Sequence, residues 1–257
     1  MIPNIISQRT TLSSFERNGT RIAFEILSEY LQRMNITLEE YEYLLHSKEL
    51  TQQRGISSEV MQKVQQPFEE PFSQKLLFLY HDTGLFFYYS LYAQYCLVRH
   101  HLGDSLSKSK LTHIERTIKD YLDSIETWGR FELVLFSNCL FLFSDTYINF
   151  QFREAVQQMR LYKDSAHYST ELLKFVINGL NLSFERGATV NLKLFKNELE
   201  RFITLYDDLK AKLILKIFNL LLDHQAGSDN NKEKIELLLA LELLDEPYWI
   251  EYLERHY

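Results

Sequence analysis

Apolar residues recur along this chain at intervals of three and four almost from end to end, the spacing that lines one face of an α-helix. Start and stop signals punctuate the pattern. Thr37 to Glu40 spells a capping box, in which the threonine side chain accepts from the backbone N–H of Glu40 while the glutamate reaches back. Ile36 and Tyr41 stand where a hydrophobic staple would flank it, so one helix starts at Thr37 and the preceding one ends near Met34-Asn35. Gly103 after Leu102 and Gly187 after Arg186 read as C-terminal caps. Ser144-Asp145 and the run from Gly227 to Asn231 are turns that restart helices. The segments between these marks run over 72–103, 109–143, 145–186, 189–225 and 231–257. Most have the size of a helix pair of about 35–40 residues, as in helical-hairpin repeats. No residue consensus recurs between them. The expected fold is therefore all-α, with a tetratricopeptide-like α-solenoid of helical hairpins as first choice and an irregular helical bundle as second.

Residues 50–71 interrupt this order. The stretch is polar, carries Gly55, Pro67 and Pro71, and lacks a wide apolar face. It predicts a linker between a small unit over 1–49 and a larger domain over 72–257, with one short helix from Ser58 to Gln66.

Composition agrees with long helices. Of 257 residues 46% are hydrophobic and 14% aromatic, enough to bury a sizeable core, and only 8 Gly and 4 Pro occur, which disfavours turn-rich β architecture. The net charge of −7 excludes a uniformly basic nucleic-acid surface, so such a contact needs a local patch. Arg9, Arg17, Arg21 and Arg33, with few acids before Glu39, supply one. Cys96 and Cys139 sit in apolar helical patterns without ligand spacing, the usage of buried thiols in a reducing cytosol. No signal peptide is evident, and apolar runs such as Leu133 to Phe143 are too short to span a bilayer. The expectation is a soluble, cytoplasmic protein.

The first 45 residues contain the sharpest motif. Read as a recognition helix, the segment places Leu12 and Phe15 in a core and turns Gln8, Arg9, Thr10, Thr11, Ser14 and Arg17 outward. Gln and Arg bond bidentately to adenine and guanine edges, whereas Ser and Thr suit phosphates. The plain alternative is an ordinary amphipathic helix. The string from Leu12 to Phe24, LSSFERNGTRIAF, and the later Asn35-Ile36-Thr37 with Glu40 resemble the Rgg/GadR/MutR family of Gram-positive transcription regulators. A second match, in the right order, is Tyr121, Leu122, Glu126, Trp128, Gly129, Glu132, Leu135 and Asn138. This chain has Asn18-Gly19 where the family has Gly and then a polar residue. It also lacks the two family helices that precede the recognition helix, so the helix-turn-helix is expected to be partial.

On residues alone, Trp128 fills an elbow between helices, Gly129 permits close packing and Glu132 satisfies N–H groups at the next helix start. Asn138 is different, because an amide inside LVLFSNCLFLF is costly to bury without partners. In a groove it could pair with an extended peptide backbone. Asn178 and Asn181 share a helix face three residues apart and invite the same reading. The resemblance implies a short hydrophobic signalling peptide, of the quorum-sensing kind, bound in the concave face of the helical-repeat domain. It also implies promoter DNA as a partner and assembly as a homodimer. Some relatives carry a basic residue three positions after Asn138, where this chain has Phe141. Arg130 or Arg153 is then the expected substitute for holding an acidic group on the peptide.

Other signals stay plain. His100, His101, His113, His167, His224 and His256 show no metal spacing, no phosphate loop exists, and no nucleophile–base grouping is evident. Neither a catalytic role nor a cofactor is expected. The rival readings are a peptide-sensing module without its own DNA binding, and a helical-repeat scaffold for another protein.

Overall fold

A computed structural model describes residues 13–14, 17, 21–45, 51–161, 166–228 and 230–257. All regular secondary structure among them is helical. The chain divides into two compact units between Glu69 and Glu70.

The first unit holds α1 (Phe24–Arg33), α2 (Leu38–Leu45) and α3 (Gln52–Lys63). α1 ends where its sequence indicates. Asn35 takes a left-handed φ of 55°, and the N–H groups of Asn35 and Ile36 close onto the carbonyls of Gln32 and Leu31 at 3.2 and 2.9 Å. The capping box then starts α2: the Glu40 N–H donates to Thr37 Oγ1 at 3.1 Å, and the Thr37 N–H donates to Glu40 Oε2 at 2.7 Å. The Thr37 N–H, and after it the Thr37 hydroxyl donating to the same Oε2 at 2.8 Å, hold the Glu40 carboxyl below the ordinary carboxylate range.

The polar stretch expected as a linker differs from its reading. Its helix begins at Gln52, six residues before the expected start, because Thr51 caps it by accepting from the Arg54 N–H. Gly55 is accommodated within it, its N–H donating to the Thr51 carbonyl at 2.8 Å. Ile56, Val60 and Val64 form a narrow apolar stripe, of which the two valines are buried. Arg54 reaches Glu39 and Glu42 at 3.6 and 3.3 Å, tying α3 to α2.

Among the described residues the second unit is a series of five helix pairs. They are α4 (Glu70–Thr83) with α5 (Phe86–His101), α6 (Lys108–Ser124) with α7 (Arg130–Asn138), α8 (Asp145–Leu161) with α9 (Ala166–Glu185), α10 (Thr189–Tyr206) with α11 (Leu209–Gln225), and α12 (Asn231–Leu243) with α13 (Pro247–His256). A 3-10 turn, Leu140–Leu142, follows α7. From α7 onward, each helix packs on the next in sequence, and α7, α8 and α11 also pack on the next but one, which is the nearest-neighbour pattern of stacked hairpins.

Local chemistry sets the elbows. Gly187 adopts φ +65° and lets the Ala188 N–H reach the Ser183 carbonyl at 2.8 Å, closing α9. Trp128 is buried at the turn into α7, where its Nε1 donates to the Leu122 carbonyl at 3.1 Å. Glu132 accepts from the Gly129 N–H at 2.8 Å and from the Tyr121 hydroxyl at 2.8 Å, so its part is structural.

The core of the middle hairpins is a line of aromatic rings. Phe136, Phe175 and Phe195 are fully buried, with centroids 5.7 Å apart for the first pair and 5.2 Å for the second. Gly179 makes this stacking possible. A Cβ there would lie 2.2 Å from the Phe195 ring, so α10 approaches the backbone of α9 more closely than any side chain allows. Glu198, 2% exposed, is held by Arg160, whose Nη2 lies 2.6 Å from each carboxylate oxygen.

Two outcomes follow. Gly179→Ala forces the Phe195 ring aside and destabilises the fold by about 1–3 kcal/mol or more, with Gly179→Ala/Phe195→Leu recovering part of the loss; urea unfolding measures both. Burial pushes the Cys139 thiol up to about 12 and the Cys96 thiol up to about 11, with burial the main cause for each. Neither thiol therefore reacts with iodoacetamide at about pH 8 in the folded protein, and both react in denaturant, as mass spectrometry reads.

Candidate functional site

α7 ends at Asn138 rather than continuing through the apolar run that contains it. The chain then tightens into the 3-10 turn before α8, whose first turn Ser144 caps by accepting from the Tyr147 N–H at 3.3 Å. The amide of Asn138 is consequently exposed, and the burial cost that singled it out in the sequence does not arise. Its Nδ2 donates to Gln94 Oε1 at 3.3 Å, linking α7 to α5.

Asn178 and Asn181 sit on the same helix, α9, at either side of Gly179. Packing the glycine against Phe195 turns the two amides the other way. Asn178 Nδ2 donates to the Ser137 carbonyl at 3.3 Å, and Asn181 Nδ2 donates to the Tyr248 hydroxyl at 3.2 Å. The structure thus brings Asn138, Phe141, Asn178 and Asn181 to one cleft of about 320 Å³, lined also by His101, Ser137, Leu140, Leu182, Glu185 and Tyr248. Second helices of four hairpins supply most of that lining. Phe141 projects at 47% exposure, while Ser137 Oγ and Asn181 Oδ1 are buried without hydrogen-bond partners. The cleft therefore combines an apolar wall, amides held by long bonds of 3.2–3.3 Å, and two polar atoms with unused capacity. Tyr248 is held protonated at neutral pH: burial raises its hydroxyl pKa, and the nearby Glu185 raises it further.

Arg186 fixes the turn that carries Phe141. Its Nη2 donates to the Phe141 carbonyl at 2.7 Å, and its Nη1 donates to the Phe143 carbonyl at 2.8 Å and to Asp145 at 3.0 Å.

The two arginines expected beside this site lie elsewhere. Arg130 is at the opposite end of α7 from Asn138, roughly 12 Å away by helical rise, and pairs with Glu171 at 3.1 Å. Arg153 lines a separate cleft with Gln157, Arg160 and Arg201. The residues that line the cleft instead include one imidazole, His101, and one carboxylate, Glu185. Of the expected DNA-facing residues, Gln8, Arg9, Thr10 and Thr11 lie outside the described residues, as do Leu12 and Phe15. Ser14 and Arg17 are in helical backbone, the former half-buried and the latter exposed.

Sequence reasoning missed Gln94, Glu185 and Tyr248. Gln94 carried the same signal as Asn138, a lone amide in the apolar run FFYYSLYAQYCL. Tyr248 arrives from a hairpin 67 residues beyond Asn181, and no local pattern marks it. Among the described residues no cluster of three or more His, Cys, Asp or Glu could hold a metal, and no helix is long and apolar enough to cross a membrane.

The fold has close counterparts. The SHP pheromone receptor Rgg2 of Streptococcus dysgalactiae superposes with a TM-score of 0.70 at 20% identity, covering 97% of this chain and 91% of the receptor. RopB matches with a TM-score of 0.60 at 16% identity, over 91% of this chain and 96% of its own. A candidate transcriptional regulator from Listeria monocytogenes EGD-e gives 0.73 at 14% identity, with 97% and 87% covered. Residues 80–255 also match the family model of the C-terminal domain of the HTH-type transcriptional regulator Rgg. With that match covering most of its length, the chain belongs to the Rgg family of transcriptional regulators.

Proposed function

We propose that this chain is a cytoplasmic, non-enzymatic transcription regulator whose DNA binding is controlled by a short hydrophobic peptide seated in the asparagine-lined cleft. One observation carries the reading: amides from two hairpins, Asn138 on α7 and Asn178 with Asn181 on α9, converge beside the exposed ring of Phe141. An extended peptide offers N–H and C=O groups at the spacing such amides can meet, and its apolar side chains match the wall. The receptor Rgg2, described as a pheromone receptor, supports the same use of the fold.

Residues 1–49 would then carry the DNA contacts through Gln8, Arg9, Thr10, Thr11, Ser14 and Arg17, residues 50–71 the relay, and 72–257 the peptide site and homodimer contact. Peptide binding shifts the population of hairpin arrangements, and with it the spacing of two recognition helices on DNA. The peptide's anionic end, if it has one, meets neither Arg130 nor Arg153 in this cleft, so apolar and backbone contacts dominate its affinity.

Synthetic peptides taken from the short open reading frames flanking the gene provide the probes for isothermal titration. Asn138→Ala and Asn178→Ala each weaken binding about 5- to 30-fold, the worth of one or two hydrogen bonds, while Arg153→Ala leaves it unchanged. Equal affinity in wild type and both asparagine variants would remove these amides from the site. Fluorescence anisotropy with labelled promoter DNA tests the other half: peptide-dependent binding supports the regulator, and absence of specific binding would favour a peptide-sensing module acting through another protein.

A further inference from the structure

We propose that the arginine-lined cleft between α8 and α10 binds a small organic phosphate monoester, a second ligand chemically unlike the peptide. The site is separate from the asparagine-lined cleft. First helices of the third and fourth hairpins line it, whereas second helices line the other.

The described residues around this cleft of about 500 Å³ include three guanidinium groups, on Arg153, Arg160 and Arg201, and one carboxylate, on Glu198. In a chain of net charge −7 this is a local surplus of two positive charges. A lining made only to neutralise Glu198 needs a single arginine. Arg160 already does that, with Nη2 2.6 Å from each oxygen of a residue that is 2% exposed. Arg201 stands 3.8 Å from the same carboxylate, too far for a hydrogen bond, and its side chain is 66% exposed. Arg153 is exposed and makes no ion pair among the described residues.

Donor capacity is left over as well. Arg160 meets Glu198 through Nη2, and its Nε is buried without a partner. Each guanidinium carries five N–H donors in a planar fork that fits the oxygens of a carboxylate or phosphate. Arg153 and Arg160 are seven residues apart, two turns along one face of α8, and Arg201 follows Glu198 by one turn on α10. The surplus therefore comes from both walls of the cleft.

These features select the ligand. A phosphate monoester carries close to two negative charges above about pH 7 and offers three acceptor oxygens, so it matches both surplus arginines. A carboxylate or a phosphodiester carries one charge and leaves one arginine unmatched. The volume lies within the roughly 300–1,000 Å³ of small-molecule sites and exceeds what inorganic phosphate fills. Val156 and the exposed Leu161 add an apolar wall for an organic body.

Isothermal titration of the full chain at about pH 8 and constant ionic strength uses phenyl phosphate as the probe, which joins a dianion to an apolar ring. Saturable one-to-one binding is expected, weakened at least about fivefold in Arg153→Ala and in Arg201→Ala. Both substitutions leave the Arg160–Glu198 bonds in place, so the unfolding midpoint stays near that of wild type. Arg153→Lys, which keeps the charge without the fork, recovers part of the loss. Benzoate, dimethyl phosphate and inorganic phosphate each bind at least about fivefold more weakly than phenyl phosphate. Asn138→Ala binds phenyl phosphate as wild type does, which separates this result from the fate of the peptide reading. Absence of saturable binding up to about 10 mM would overturn the proposal, as would wild-type affinity in both alanine variants. Benzoate or dimethyl phosphate binding as tightly as the probe would overturn the dianion, and inorganic phosphate doing so would overturn the organic body.

Discussion

The close approach of α9 and α10 at Gly179 is the constraint on which the rest of the second unit turns. Without a Cβ at that position the Phe195 ring packs directly on the backbone, and the aromatic line through Phe175 to Phe136 continues unbroken. That contact fixes the rotation of α9 about its axis. Since Asn178 and Asn181 flank the glycine, the same rotation decides where both amides point. A packing requirement inside the solenoid thereby sets the chemistry of the cleft outside it.

The cleft is assembled rather than inherited from one element. α5 supplies His101 and holds Asn138 through Gln94, α7 and its following turn supply Asn138 and Phe141, α9 supplies Asn178 and Asn181, and α13 supplies Tyr248. Arg186 locks the turn bearing Phe141 to the end of α9 by occupying two carbonyls that the turn would otherwise leave open. Hydrogen bonds of 3.2–3.3 Å between the amides and their neighbours keep the site ordered at little cost to a competing ligand.

Much of this was legible in the sequence, and the reasons differ by element. The hairpin limits follow from caps whose chemistry is local: the box at Thr37, the glycines at 103 and 187, and the serine at 144 each act within one turn of helix. Asn138, Asn178 and Asn181 stand out as amides in apolar runs, although for Asn138 the premise of burial was mistaken, because α7 stops at that residue. The start of α3 was misplaced because a polar stretch with one narrow valine stripe carries little periodic signal, while the cap at Thr51 is a single residue. Arg130 and Arg153 illustrate the opposite limit. Charge alone suggested them as anion holders, but which neighbour an arginine meets depends on distant carboxylates: Glu171, 41 residues on, takes Arg130.

The bond between Asn181 and Tyr248 joins the third hairpin to the fifth across the fourth. Phe184 and His256 meet across the same gap with ring centroids 5.5 Å apart, so the closure between these hairpins rests on more than one contact, each needing the fourth hairpin in place. The cleft wall is thus complete only when the third and fifth hairpins are both in place. A chain clipped within α13 would keep most of its helices and lose the Tyr248 wall of the cleft.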